Sequence, residues 1–255
     1  MKTKILMAVL VSLLVILVVS PGIPAGDKAA ERGQGTGGKD GKGPPEIERG
    51  MFVNRPLSSP PWYPHDCEET DTYRWAPRYH WADPSIVVLV NPTASPFAES
   101  ELDDVVAEVE KGFAAWNDVG TGYTATVATD DTVGPSLDEP DFMNTVSWAG
   151  IDGPGGTIAI TYFWYYVNTK ELVDCDIVFD TAEGWSISEE VPDDKFDVWN
   201  IATHEAGHTL VLADIRSPKD GALTMHAYTW LGDSFKRDLG TGDTLGIQAI
   251  YGGLE

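Results

Sequence analysis

Basic residues are scarce in this chain. Seventeen Lys and Arg stand against 40 Asp and Glu, a formal net charge of −23 over 255 residues. That balance excludes nucleic acid and anionic membrane surfaces as partners. It suits calcium binding, a saline medium or basic substrates, and composition does not separate these. Cysteine is scarcer still: two residues, Cys67 and Cys175, rule out a disulfide framework and leave room for one bridge. Long apolar runs are missing except at Ile5 to Val19, which follows Lys2 and Lys4 and precedes Ser20-Pro21-Gly22-Ile23-Pro24-Ala25. A run of about 15 is short of the ~20 residues that span a bilayer comfortably. A basic start with small residues after the run describes a secretory signal peptide over residues 1–25, an uncleaved N-terminal anchor being the alternative. No cysteine lies near the run, which excludes a lipoprotein anchor. The protein is expected to be secreted or extracellular, or held at the cell surface if the segment stays.

Histidine is also rare, with five in the chain, yet two of them stand four apart in His204-Glu205-Ala206-Gly207-His208. On a helix, four residues advance about 400° and about 6 Å, so His204 and His208 leave one face one turn apart. Two imidazoles so placed can hold one tetrahedral Zn²⁺. Glu205 sits beside the first ligand, where a carboxylate can take a proton from metal-activated water. A chance grouping on a solvated helix is the bland reading, and the small number of histidines makes it weak.

The rest of the chain supplies a scaffold. Gly26 to Gly50 is rich in Gly, Lys and Glu, so residues 26–66 are expected to be a flexible linker or pro-segment and an extended lead-in. Residues 67–255 are expected to be the catalytic domain. Ser85–Val90 is a short apolar run ending at Asn91-Pro92, hence a buried strand. A helix is expected from Ser100, with Asp103 completing a capping-box variant and Leu102, Val105, Val106, Val109, Phe113 and Trp116 forming one apolar stripe. Strands are predicted near 123–128, 145–149, 157–166 and 175–179. The histidine helix is expected to start at Asp193 or Asp194, and a last helix to cover Asp243 to Tyr251. This order predicts an α+β domain, a mixed sheet with helices packed on it. No internal repeat is visible.

A catalytic zinc needs a third protein ligand. Asp214 lies ten residues after His204, about 15 Å along the axis if the helix continued, so it reaches the metal only if the chain turns sharply near Val211. His226 is the fallback. The pattern His204-Glu205-x-x-His208-x-x-Val211-x-x-Asp214 resembles the metzincin signature in its variant ending in Asp. Ala222-Leu223-Thr224-Met225-His226-Ala227-Tyr228 resembles the Met-turn of that clan. Within it, Phe113-Ala114-Ala115-Trp116, Asp197-Val198-Trp199-Asn200 and Gly246-Ile247-Gln248-Ala249-Ile250-Tyr251-Gly252 are similar to segments of the matrixins, over roughly residues 70–255. The resemblance implies a mostly parallel twisted sheet, an active-site helix, Met225 beneath the metal, Tyr228 near the pocket, and zinc endopeptidase activity on a protein or peptide by a monomer.

Two departures stand out. The family has Gly where this chain has Val211, and a β-branched residue at positive φ costs about 1–3 kcal/mol. Asp for His at the third ligand leaves the metal site at +1 rather than +2, which implies activity shifted to higher pH.

The run Asp152-Gly153-Pro154-Gly155-Gly156-Thr157 resembles a matrixin calcium loop, with Asp180 and Glu183 matching the family's two further carboxylates. The implied Ca²⁺ ligands are Asp152, Gly153, Gly155, Thr157, Asp180 and Glu183, an oxygen set that suits that ion; the bland reading is a Gly-rich turn with solvated acids. The family's structural zinc has histidines where this chain has Ile160 and Val178, so that site is expected to be absent. The strand near 157–166 would border the cleft and pair with an extended substrate, while its aromatic residues 162–166 stay undivided between core and surface. Cys67 and Cys175 are candidates for a disulfide; the alternative, Cys67 as a pro-segment thiol on the zinc, lacks the family's surrounding residues. Two further readings remain: a zincin with a distant Glu ligand, for which no suitable downstream helix is seen, and a non-catalytic, calcium-stabilised extracellular binding module with a relict zinc site.

Overall fold

The computed structural model describes residues 45–56, 70–76 and 78–252. In chain order these form β1 (Ile47–Pro56), β2 (Ser85–Val90), α1 (Leu102–Asn117), β3 (Thr124–Thr129), β4 (Asn144–Ala149), β5 (Ala159–Tyr166), β6 (Leu172–Asp180), β7 (Trp185–Ser186), β8 (Phe196–Asp197), α2 (Val198–Thr209), β9 (Tyr228–Thr229) and α3 (Thr241–Tyr251). Seven strands make one sheet in the order β3-β2-β4-β6-β5-β1-β9. The pairs β2–β3, β2–β4, β4–β6 and β1–β9 are parallel, while β5–β6 and β1–β5 are antiparallel. The fold is α+β with a mixed, mostly parallel sheet, as the sequence predicts.

The apolar stripe of α1 is buried through Val105, Val109, Phe113 and Trp116, which join Ile201, Ala202 and Ala206 of α2 over the sheet residues Val88, Val90, Val146, Ile177 and Phe179. Gly112 lets the two helices close, since a Cβ there would stand 2.7 Å from the Thr203 backbone nitrogen. Trp116 Nε1 then donates to the Thr203 carbonyl at 2.9 Å, fixing α2 one residue before His204.

Strand alternation divides the aromatic run of β5. Phe163 and Tyr165 face the main core, with Tyr162 on the opposite face. There it packs with Ile160 and Val178.

Three expectations are corrected. α2 begins at Val198, not near Asp193: Phe196 and Asp197 pair with Trp185 and Ser186, so the chain is still extended there. Asp197 is the cap, accepting from Asn200 N at 3.0 Å. Glu101, not Ser100, stands at the N-cap of α1, without a side-chain cap bond to that helix; its carboxylate accepts from Ala98 N at 2.9 Å and closes the short turn Glu99–Glu101 before it. The third concerns the cleft. Ile47–Pro56, inside the expected linker and lead-in, form a ten-residue strand along the edge of β5, so that edge is already paired. The N-terminal apolar run and Cys67 lie outside the described residues; among the described ones no helix is long and apolar enough to cross a membrane.

Candidate metal centre

α2 carries the histidines into the core, where His204, Glu205 and His208 are all fully buried. Their ligand atoms lie within 4.8 Å of one another, the one such grouping of three among the described residues. Each ring is oriented by a carbonyl: His204 Nδ1 stands 2.7 Å from Thr224 O, and His208 Nδ1 2.8 Å from Leu212 O. A carbonyl only accepts, so Nδ1 carries the proton on both rings and Nε2 keeps its lone pair, the form a metal requires.

The helix ends where the sequence demands a turn. Val211 N donates to His208 O at 2.9 Å and Leu212 N to Gly207 O at 3.2 Å, the paired bonds of a Schellman motif. The residue that closes such a motif takes positive φ, and Val211 does so, at φ 61°, although it is β-branched and fully buried. The turn brings Asp214 back: its Oδ1 stands 3.6 Å from His204 Nε2 and 3.5 Å from His208 Nε2. Two donors at about 2 Å from one tetrahedral ion are about 3.3 Å apart, so the three atoms have near-ligand spacing.

His204 Nε2, His208 Nε2, Asp214 Oδ1 and Glu205 Oε1 are all buried without a hydrogen-bond partner. Four polar atoms left so in one place fit a cation with an open side. The other Glu205 oxygen accepts from Thr161 Oγ1 on β5 at 2.6 Å.

Burial sets the electrostatics. It lowers His204 to about 3, and the Lys236 charge, with Nζ 3.3 Å from Nδ1, pushes the same way. Burial would lower His208 as well, but Asp214 outweighs it and the net shift is upward. Burial likewise opposes the charge on Asp214, yet the two rings hold its carboxyl well below the usual range. Glu205 is raised by burial, partly offset by His208 and Thr161. Lys236 itself is buried and lowered to about 8. Its ammonium donates to the His226 carbonyl.

Met225 lies under this helix. Its sulfur packs where a Cβ on Gly207 would be, beside Trp116. The turn holding it is fixed by Asp243 of α3, whose carboxylate accepts from Thr224 N at 2.7 Å, Met225 N at 3.0 Å and Gly240 N at 2.9 Å. His226, the fallback ligand, is buried with its ring edge-on to Tyr228; neither it nor Asp214 is in the three-residue grouping, and it is Asp214 whose carboxylate stands near both Nε2 atoms. Tyr228 lines a cavity of about 780 Å³ with Asp214, Arg74, Arg216 and β1 residues.

Sequence reasoning missed Thr161, Lys236 and the clamp by Asp243. Only the last left a signal, an acid in the first turn of a helix just after the Met-turn.

The expected calcium residues lie around one loop, although Asp152, Asp180 and Glu183 do not form a grouping with the mutual spacing of the histidine site. Asp152 accepts from Thr157 N and Oγ1, both at 2.8 Å, and Asp180 accepts from Ile151 N and Asp152 N at 3.3 Å. Glu183 accepts from Gly155 N at 2.6 Å. Gly153 and Gly155 have φ of 90° and 77°, which only glycine takes readily. Burial raises the Glu183 pKa, with Asp180 and Asp152 adding to it. Cys175 is buried on β6.

A buried helix with His-Glu-x-x-His, a turn returning Asp214 toward it and a methionine turn beneath them define the domain as a metzincin. The chain belongs to the matrixin family, whose model matches residues 93–252. Interstitial collagenase of Bos taurus is 32% identical over 151 residues, 58% of this chain and 28% of that protein. Stromelysin-3 of Homo sapiens is 34% identical over 101 residues, 40% of this chain and 18% of that protein. The chain spans less than a third of the length of these curated relatives.

Proposed function

We propose that the domain is a secreted zinc endopeptidase in which His204, His208 and Asp214 hold the metal and Glu205 is the general base. The observation that carries this reading is the set of four buried, unbonded polar atoms at the end of α2. Zinc held there would acidify water and polarise a carbonyl. Glu205 takes the proton of the attacking water through its free Oε1 and returns it to the leaving amine. Thr161 pins the other oxygen, so the base is positioned without being neutralised. The substrate class is a protein or peptide.

Calcium is proposed at the loop of Asp152, Gly153, Gly155, Thr157, Asp180 and Glu183. Three carboxylates and glycine-rich carbonyls there make a hard oxygen set, and the like charges beside Glu183 support a cation. Residues 1–25 are proposed to be a secretory signal, and a Cys67–Cys175 bridge remains a proposal that intact mass before and after reduction would decide.

The test measures zinc content by mass spectrometry and cleavage of casein with and without chelator. Wild type is expected to bind one zinc and cleave, and Glu205→Ala to keep the zinc but lose about 10²–10⁴-fold in kcat. Equal activity in Glu205→Ala, or zinc-loaded wild type with no chelator-sensitive cleavage, would overturn the reading.

A further inference from the structure

We propose that the cavity opening on Asp214 is a carboxylate-binding subsite, which selects peptide substrates with an acidic side chain near the cleaved bond. This deepens the peptidase reading and rests on it. The cavity, of about 780 Å³, is lined by Arg55, Arg74 and Arg216, and Asp214 is the one acid on its wall. In a chain with 40 acids and 17 bases, chance would line a cavity the other way.

The three arginines come from stretches far apart in sequence, and main-chain pairing brings each to the cavity. Arg55, near the end of β1, is in register with Tyr228 of β9. The Arg74 carbonyl accepts from Ala213 N at 2.8 Å, and two residues on Ala76 N donates to Val211 O at 2.9 Å. Arg216 follows Ile215, whose N–H donates to Met225 O at 2.9 Å and whose carbonyl accepts from Ala227 N at 2.8 Å. The positive charge is thus positioned by the same turns that place Asp214 and Met225.

The guanidiniums are available to a ligand. All three residues are exposed, and among the described residues none forms an ion pair with a carboxylate. Arg74 donates one N–H to the Asp214 carbonyl at 3.0 Å, and a guanidinium carries several more. The Asp214 carboxylate is engaged elsewhere, with Oδ1 3.6 Å from His204 Nε2 and 3.5 Å from His208 Nε2. Planar guanidiniums match a carboxylate by paired N–H donors. Set in a concave wall of an acidic molecule, they focus a local positive potential. An acidic side chain is drawn in, a neutral one gains nothing and a basic one is repelled. One exposed pair is worth about 1.5- to 5-fold, so three arginines around one carboxylate give about tenfold in kcat/KM.

The experiment uses the full zinc-loaded chain as wild type, Arg55→Gln/Arg216→Gln and Arg55→Glu/Arg216→Glu. Lys219→Gln serves as the control, removing a charge from the segment of Arg216 but outside the cavity. Peptides amidated at the C-terminus, with one Glu, Gln or Lys at each position around the cleaved bond, are compared by kcat/KM. In wild type and Lys219→Gln the best Glu peptide is expected to exceed its Gln counterpart about tenfold. The Gln double variant should bring that ratio below about threefold, and the Glu double variant should place the Lys peptide above the Glu one. A wild-type ratio near one, or a ratio that survives in the Gln double variant, would overturn the proposal. So would an equal loss in Lys219→Gln, which would assign the effect to net charge. A preference confined to peptides with a free C-terminal carboxylate would overturn the assignment to a side chain. If no peptide is cleaved, yet wild type binds a labelled Glu peptide more tightly than the Gln one by anisotropy and the Gln double variant does not, the subsite stands and the peptidase reading is what fails.

Discussion

Val211 offers a quantitative check on the turn that places Asp214. It is fully buried and sits at φ 61°. Replacing it with Gly removes about 2 kcal/mol of apolar burial and costs about 1 kcal/mol in unfolded-chain entropy. The same change relieves about 1–3 kcal/mol of strain, since Gly takes positive φ freely. Val211→Gly is therefore expected to destabilise by roughly 0–2 kcal/mol, the difference of those terms. Val90 on β2 is equally buried, with no positive φ, so Val90→Gly is expected to lose the full amount of about 3 kcal/mol. Urea denaturation followed by tryptophan fluorescence reads both, provided the m-values agree. Zinc affinity should be unchanged in Val211→Gly. Val211→Pro cannot take this φ and loses the N–H that bonds His208 O, so it should release zinc. Equal losses at positions 211 and 90, or a zinc-competent Val211→Pro, would refute the reasoning.

Asp214→Ala should weaken zinc binding by at least about 100-fold, read by competition with a chromogenic chelator, since it removes a ligand and not merely a ligand's partner. Asp243→Asn gives up one of two acceptor oxygens that serve three amides, so a cost of about 1–3 kcal/mol in denaturant and a looser Met-turn are expected. Asp174, buried on β6, is raised from 3.8 to about 7 by burial and by the charge of Asp176. A raised carboxyl favours the fold when protonated, so its contribution is complete below pH 3.8 and lost as pH climbs through 7. Asp174→Asn should accordingly raise the thermal midpoint at pH 8 relative to wild type, with the gain shrinking toward pH 4.

The parts of the fold that were legible in the sequence are those whose burial is written in their own residues. Ser85–Val90 emerged with the expected bounds, and the stripe on α1 faced the core as its spacing required. Phe196 and Asp197 were read as helix because nothing local reports their pairing with Trp185 and Ser186. β1 was read as linker for the same reason. Glu48, Arg49, Gly50 and Arg55 carry no strand pattern, and the order comes from the exposed edge of β5 far along the chain. Thr161 and Lys236 were unreadable because each acts on α2 from a distant segment.

The third donor was half legible, and the structure shows why. The sequence could place Asp214 after His208 but could not say whether a valine would accept the turn. The answer lies in what the turn does besides reversing the chain. Val211 at positive φ lets Leu212 donate its N–H to Gly207 O, and that places the Leu212 carbonyl 2.8 Å from His208 Nδ1. The same residue that directs the chain toward Asp214 thus fixes the tautomer of His208. Val211 N–H and side chain are both satisfied, the first by His208 O and the second by complete burial in the core. Strain of about 1–3 kcal/mol at one residue is therefore set against two oriented donors and a buried apolar side chain. Glycine would remove the strain and the burial together, which is why a valine can stand at this position without the turn being lost.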